Sequence, residues 1–314
     1  MLKENPTLQG IAPIPVPSIV DEQVISSKTL PSYSYLHELM KRYQLKDLVN
    51  VEADSFMQSI QELHSPSETA TNITDDDKVQ HPMAKQFHWG HRHNFGEFSM
   101  PGRMGNHHIA LLATFIDHLG AIDQSLKGKR ILDIGCWTGG TSLLLAAMGA
   151  EVVAIEEIEH YAKTAEYLAK AFDVRNLTVL HKSLYDCTED EMQDSFDLVL
   201  FAGVLHHLSD PKLALRIVFN SLHDGGLCLL ETLSFDHDKR ILARRALDTA
   251  GNSDEPWGWN WFLFTASTLT KVLQDIGYEI DHPCSIIDGR TYVAARRKQH
   301  VAMQRSGLSV SNIR

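Results

Sequence analysis

From residue 107 onward, short apolar strands alternate with amphipathic helices, and no other feature of the chain restricts its fold as tightly. HHIALLATFIDHL (107–119) has helical spacing, RILDIG (130–135) is a short run suited to burial on both faces, and TSLLLAAMGA (141–150) returns to helix. EVVAIE, HYAKTAEYLAKAF, LTVLHKSL, FDLVLFAG, PKLALRIVFNSL and GLCLLETLS continue the alternation through residue 234. Such an order dictates a parallel sheet with helices on both faces, because a parallel pair needs a long crossover and a helix supplies it. STLTKVLQDIG (267–277) is a further helix. YEIDHPCSII (278–287) and TYVAARRK (291–298) leave no room for a crossover between them, so these last two strands should pair antiparallel.

The first hundred residues read differently. Residues 1–30 are rich in Pro, Ser and Val without periodicity and read as an extended arm, which suggests exchange between subunits and hence a homo-oligomer. Within 31–80, Leu36, Leu39, Met40, Tyr43 and Leu45, then Phe56, Ile60 and Leu63, mark two helices of an appendage, followed by a polar linker at 65–78. The main domain is expected over 81–300, with a tail at 301–314.

No apolar run approaches the roughly 20 residues that a membrane-spanning helix requires. MLKENPTLQG lacks a basic segment followed by an apolar core, so a cytoplasmic location is expected. Cys136, Cys187, Cys228 and Cys284 form no CxxC pair, which argues against a disulfide framework or a thiolate zinc site. The net charge of −11 argues against a nucleic-acid partner unless KGKR (127–130), KRILARR (239–245) and ARRKQ (295–299) join into one basic face.

The expected sheet binds ligands beyond the carboxyl ends of its strands. After the first strand comes ILDIGCWTGG (131–140), a glycine loop with Trp137 where tighter versions carry a second glycine. That glycine lets backbone N–H groups press on a pyrophosphate, so its loss points to a ligand without phosphates. Asp133 would repel a pyrophosphate but attract an ammonium. Both observations favour S-adenosyl-L-methionine over a dinucleotide. Glu156 lies 21 residues after Gly135, the spacing of a carboxylate that accepts from ribose hydroxyls, with Glu157 as the fallback. The cofactor set is therefore Asp133, Gly135, Trp137, Gly139 and Glu156, then Ser183 and Leu184 beside the adenine, and Ala202 with Gly203 at the methionine end.

ILDIGCWTGG, VVAIE and FDLVLFAGVLHHLSDP resemble the motifs of class I S-adenosylmethionine-dependent methyltransferases over about residues 107–298. GVLHHLSDP, LLETL, WFLFTASTLTKVLQDIGY and RTYVAARRK are similar, more narrowly, to the wobble-uridine tRNA carboxymethyltransferases and their small-molecule relatives. The resemblance implies an α/β fold: a Rossmann-like, seven-stranded, mostly parallel sheet with the last strand antiparallel and an N-terminal helical appendage partly covering the site. The tRNA family grips a carboxylated cofactor with a Lys, a Tyr and an Arg. Arg290 falls at the Arg position, His206 stands at the Tyr position, and the HRHNFGEF stretch offers no lysine. Ordinary methyl transfer is therefore expected.

His206 and His207 follow the fourth strand, where a base would reach a hydroxyl or amine acceptor. In FHWGHRHNFGEF (87–98), His91 and His93 are expected to line an acceptor pocket under a lid. His88, with these two and His107 or His108, is the alternative metal set, but no HExxH-type spacing supports a metal. Arg290 would clamp a substrate carboxylate, and Trp259 and Trp261, with Trp257 and Phe262, would wall the pocket. The expected reaction is methylation of a small carboxylate-bearing acceptor, such as an amino-acid thioether like methionine. A tRNA-modifying enzyme and a non-catalytic cofactor-binding module are the alternatives.

Overall fold

The computed structural model describes residues 30–64, 89–234, 243–245 and 262–298. The expected arm, linker and tail, and Trp257, Trp259 and Trp261, lie outside the described residues.

Seven strands form one sheet: β1 (Arg130–Ile134), β2 (Glu151–Glu156), β3 (Leu177–His181), β4 (Phe196–Ala202), β5 (Leu222–Leu233), β6 (Tyr278–Ile287) and β7 (Arg290–Arg297). Their order is β6-β7-β5-β4-β1-β2-β3. β1 to β5 pair in parallel, while β7 runs antiparallel to both β5 and β6, as the short connection between the last two strands requires. Alternate residues of β1 serve opposite faces: Ile131 enters the apolar cluster on one side and Leu132 the cluster on the other.

The helices begin and end where their caps permit. Asp210 accepts from the Leu213 N–H at 3.1 Å and Pro211 fills the first turn, starting α6 (Pro211–Ser221). Thr265 caps α7 (Ala266–Ile276) in the same way, and Gly277, at φ +119°, ends it. A cap of this kind stabilises its helix by about 1 kcal/mol. Gly139, left-handed at φ +82°, turns the chain from the glycine loop into α4 (Gly140–Ala147). α5 (Glu159–Ala171) covers the β2–β3 crossover.

Two helices form within the N-terminal region as the periodicity predicts: α1 (Pro31–Met40) and α2 (Ala53–His64). They pack onto the core of the main domain. Leu36, Tyr43, Phe56 and Ile60 are buried in the same cluster as Ile131 and Leu143, and the Tyr43 hydroxyl donates to the Leu143 carbonyl at 2.8 Å. Asp117 accepts from the Ser32 N–H and hydroxyl, both at 2.7 Å, and so fastens the start of α1 to the end of the next helical segment, α3 (His107–Ala113, continued by a π-turn at Thr114–His118).

Candidate active site

Strand order reverses at β1, which lies between β2 and β4, and a crevice opens there beyond the strand ends. A cavity of about 770 Å³ occupies it, bordered by the loops after β1 to β4 and the end of β5 and roofed by residues from the 91–111 stretch. The volume suits a cofactor together with a small second ligand.

The floor of the cavity is made by the turn after β1. Gly135 has φ +70°, and a Cβ there would stand 2.4 Å from Cγ2 of Val204, so only glycine fits. The N–H groups of Gly135 and Cys136 both donate to the Ile155 carbonyl, drawing the loop towards the end of β2. Glu156 then accepts the Trp137 N–H at 2.9 Å on one oxygen and the Ile158 N–H at 3.0 Å on the other. Each oxygen keeps acceptor capacity, which matches a pair of vicinal hydroxyls. Burial pushes the Glu156 carboxyl up to about 7, against the pull of its two backbone donors. Among the described residues Asp133 accepts from the Ser142 hydroxyl alone, at 2.6 Å, and burial raises it to about 6. Neither carboxyl forms an ion pair among the described residues. Two buried carboxyls short of a cation fit a ligand that brings an ammonium to Asp133 and ribose hydroxyls to Glu156.

Of the other expected cofactor residues, Gly139 does not border the cavity but turns the chain into α4 against Ala165, while the rest converge on the same space. Ser183 caps a short turn and donates to Glu157 at 3.1 Å, Leu184 is a buried wall beside it, and Ala202 and Gly203 border the cavity after β4.

Trp137 joins floor to roof. It holds φ +53°, a costly conformation for a bulky residue, of order 1–3 kcal/mol. Its indole lies against Gly90, where a Cβ would come within 2.6 Å of the ring, and meets His91 and Tyr161 edge-on. The Gly90 N–H also donates to the Thr138 hydroxyl at 3.1 Å. The missing glycine of the loop is thus a seat for the overlying segment.

His91, Met104, His107 and Leu111 line the roof, whereas α1 and α2 contribute no lining residue and brace the segment from behind. This corrects the expectation that the N-terminal helices themselves cover the site. His93 also departs from expectation: it does not border the cavity but packs against Trp89, Phe95 and His108. Burial lowers His91 to about 3 and both His93 and His107 to about 4, so these rings are neutral near pH 7. His88 lies outside the described residues, and among the described residues no three side chains are arranged to hold a metal.

His206 borders the cavity with a fixed tautomer. The Leu233 N–H donates to its Nδ1 at 3.4 Å and the Thr232 hydroxyl lies 3.0 Å from the same atom, which leaves the ring proton on Nε2. Burial holds its pKa well below the usual value. The neutral ring therefore offers a donor at Nε2 and is poorly suited to accept a proton there, contrary to the expected base. His207 packs against it, ring centroids 4.0 Å apart, and also borders the cavity.

Arg290 reaches the cavity, but not as a bare cation. Its Nε and Nη2 form a bidentate pair with Glu231, whose side chain is 1% exposed. Glu231 escaped the sequence analysis, although a lone carboxylate inside the apolar run LCLLETL requires a buried partner and so carried the signal. Met104 and Tyr161 had no comparable signal.

Two of the three basic runs lie at the opposite end of the sheet. Arg130 opens β1 and Arg297 closes the antiparallel β7, so both stand at the amino edge of the parallel strands. There Lys129 pairs with Asp197, Arg296 with Asp281, Arg297 with Asp194 and Asp224, and Lys298 with Glu279. They present no continuous basic face beside the cavity. Of the third run, only Ala243–Arg245 is described, as a short strand paired with Phe262–Phe264.

Comparison with known proteins agrees with this geometry. Residues 104–282 match a family described as a methyltransferase domain. A ubiquinone biosynthesis O-methyltransferase of Psychrobacter arcticus is 28% identical over 118 residues, 38% of this chain and 46% of that protein. A tRNA U34 carboxymethyltransferase of Alteromonas mediterranea is 27% identical over 160 residues, 49% of this chain and 46% of the relative. One from Desulfotalea psychrophila reaches 39% over 111 residues, 34% of this chain and 33% of the relative. The chain thus spans half or less of these relatives' length. Among solved structures, a SAM-dependent methyltransferase from Aquifex aeolicus covers 57% of this chain and 87% of its own, at 16% identity and a TM-score of 0.44. Among the described residues no helix is long and apolar enough to cross a membrane.

Proposed function

Since this chain belongs to the class I S-adenosylmethionine-dependent methyltransferase family, we propose that it methylates a small, carboxylate-bearing acceptor enclosed between the strand ends and the 89–111 segment. The observation that carries this reading is the roofed cavity itself: it extends past the cofactor carboxylates to Arg290, His206 and His107 within one bounded space. Bound there, the cofactor would supply an electrophilic methyl group. Asp133 and Glu156 would orient it, and the roof would exclude water and hold the acceptor in line. Burial makes His91, His107 and His206 weak bases, and His206 presents a donor, so a nucleophile with no proton to lose suits the site best. An amino-acid thioether such as methionine is an acceptor of that kind.

The identity to tRNA carboxymethyltransferases favours a second reading, modification of a wobble uridine. That reading calls for a basic face beside the cavity and strongly salt-dependent binding. Incubation with methyl-labelled cofactor and a cell extract, with and without ribonuclease, separates the two. Label in ribonuclease-resistant small molecules is expected. Label confined to large material that ribonuclease destroys would replace the small-acceptor reading with the tRNA one.

A further inference from the structure

The partner that Arg290 has acquired says something about the acceptor. Glu231 and Arg290 both border the cavity, and the carboxylate engages Nε and Nη2, leaving the Nη1 edge of the guanidinium for a ligand. The pair carries no net charge. His91, His107 and His206, which border the same space, are held neutral by burial and add none.

With Asp133 and Glu156 given to the cofactor, a charged group drawn out of water to the Arg290 end of this space finds its counter-charge on the pair. A simple anion would gain Arg290 only by taking it from Glu231, stranding a buried carboxylate. A simple cation would strand Arg290 in the same way. An uncharged acceptor leaves the pair intact but gives no reason for two ionised groups to border the cavity, where an apolar wall would serve as well. A ligand that carries both signs satisfies both partners at once.

Building on the methyltransferase reading above, we propose that the acceptor is a zwitterion of the α-amino-acid type. Its carboxylate meets the Nη1 edge of Arg290, and Glu231 balances its ammonium. Glu231 is thereby the residue that sets acceptor charge: it admits dipolar molecules of zero net charge and rejects phosphorylated or otherwise anionic ones. It acts on the acceptor end alone, since Asp133 and Glu156 serve the cofactor.

The test uses the full-length protein, methyl-labelled S-adenosylmethionine and the ribonuclease-treated small-molecule fraction of a cell extract. The labelled product is run by electrophoresis at low and neutral pH, before and after acetylation of amines and esterification of carboxylates. The expected product loses one positive charge on acetylation and one negative charge on esterification. A labelled small product lacking either group overturns the zwitterion assignment and leaves the methyltransferase reading standing. Absence of any labelled small product removes both. With the product identified, Glu231→Gln should raise the acceptor KM roughly 10- to 100-fold, the loss expected of a charge-assisted contact, with cofactor affinity within about twofold of wild type. Glu231→Asp should recover part of that loss. An unchanged KM in Glu231→Gln would also overturn the assignment.

Discussion

The floor and the roof of the cavity are built on opposite electrostatic plans. The floor carries two buried carboxyls, Asp133 and Glu156, raised by burial to about 6 and about 7. The roof carries buried histidines lowered to about 3 and about 4. Near pH 7 the roof is neutral, whereas the floor is only partly ionised. Only the floor gains by ionising fully when a cationic ligand arrives, which is the basis for the proposal that the cofactor lies on the floor and the acceptor under an uncharged roof.

The largest effect should come from the Glu231–Arg290 pair at the acceptor end. Arg290→Ala leaves the Glu231 carboxylate buried without its cation, and the loss should be about 3–5 kcal/mol, read as a lowered denaturant midpoint. Replacing both residues with apolar ones of similar size should recover most of it. Equal losses in the single and double variants would mean that the pair is not a coupled unit.

Next is the turn that shapes the floor. Gly135→Ala forces a Cβ onto Val204 at a left-handed φ and should cost about 2–4 kcal/mol. Trimming Val204 to Ala in the same chain removes the clash but not the backbone strain, so recovery should be partial. Full recovery would show that the strain is negligible.

Glu156→Gln separates cofactor binding from stability. Affinity for S-adenosylmethionine should fall by about 1–3 kcal/mol, while the cofactor-free protein keeps or gains stability because a costly buried carboxyl is gone. Unchanged affinity in calorimetry would remove Glu156 from the cofactor site.

On pH dependence, floor and roof oppose each other unequally. Glu156 and Asp133 have folded values raised above 4.5 and 3.8, so their contribution is fully present below about pH 4 and is lost as pH rises through 6 and 7. His91, His93 and His107 are depressed from 6.5, so theirs is fully present above that value and is lost as pH falls through 4 and 3. Between about pH 4.5 and 6.5 the depressed histidines outnumber the raised carboxyls, so the carboxyls offset only part of the rise and Tm should climb with pH. In Glu156→Gln the floor's opposing contribution shrinks and Tm should climb more steeply over that window. A variant profile parallel to wild type would deny the floor its role.

The floor was legible in the sequence because it is local. Asp133, Gly135 and Glu156 sit at strand ends that the alternation of apolar runs locates, and the turn after β1 needs glycine for steric reasons that a sequence displays. The acceptor end depends on pairings across the chain. Glu231 meets Arg290 only through the antiparallel register of β5 on β7, in which Tyr292 faces Glu231 and Arg290 faces Leu233. Nothing in one strand reveals its register against another. His91 and His93 looked alike in HRHNFGEF, yet a short hairpin, His93–Asn94 paired with Ser99–Met100, turns His93 into the aromatic cluster while His91 borders the cavity. His206 looked like a base because its identity was visible and its tautomer was not.

The most direct test of the floor as the cofactor's anchor is proton release on binding. Calorimetric titration of S-adenosylmethionine into the protein near pH 6.5, in buffers of different ionisation enthalpy, counts the protons exchanged. Ionisation of Glu156 and Asp133 against the bound cofactor predicts release of roughly half to one proton, falling towards zero near pH 8 and reduced in Glu156→Gln. Binding with no proton release, or with uptake, would contradict the account.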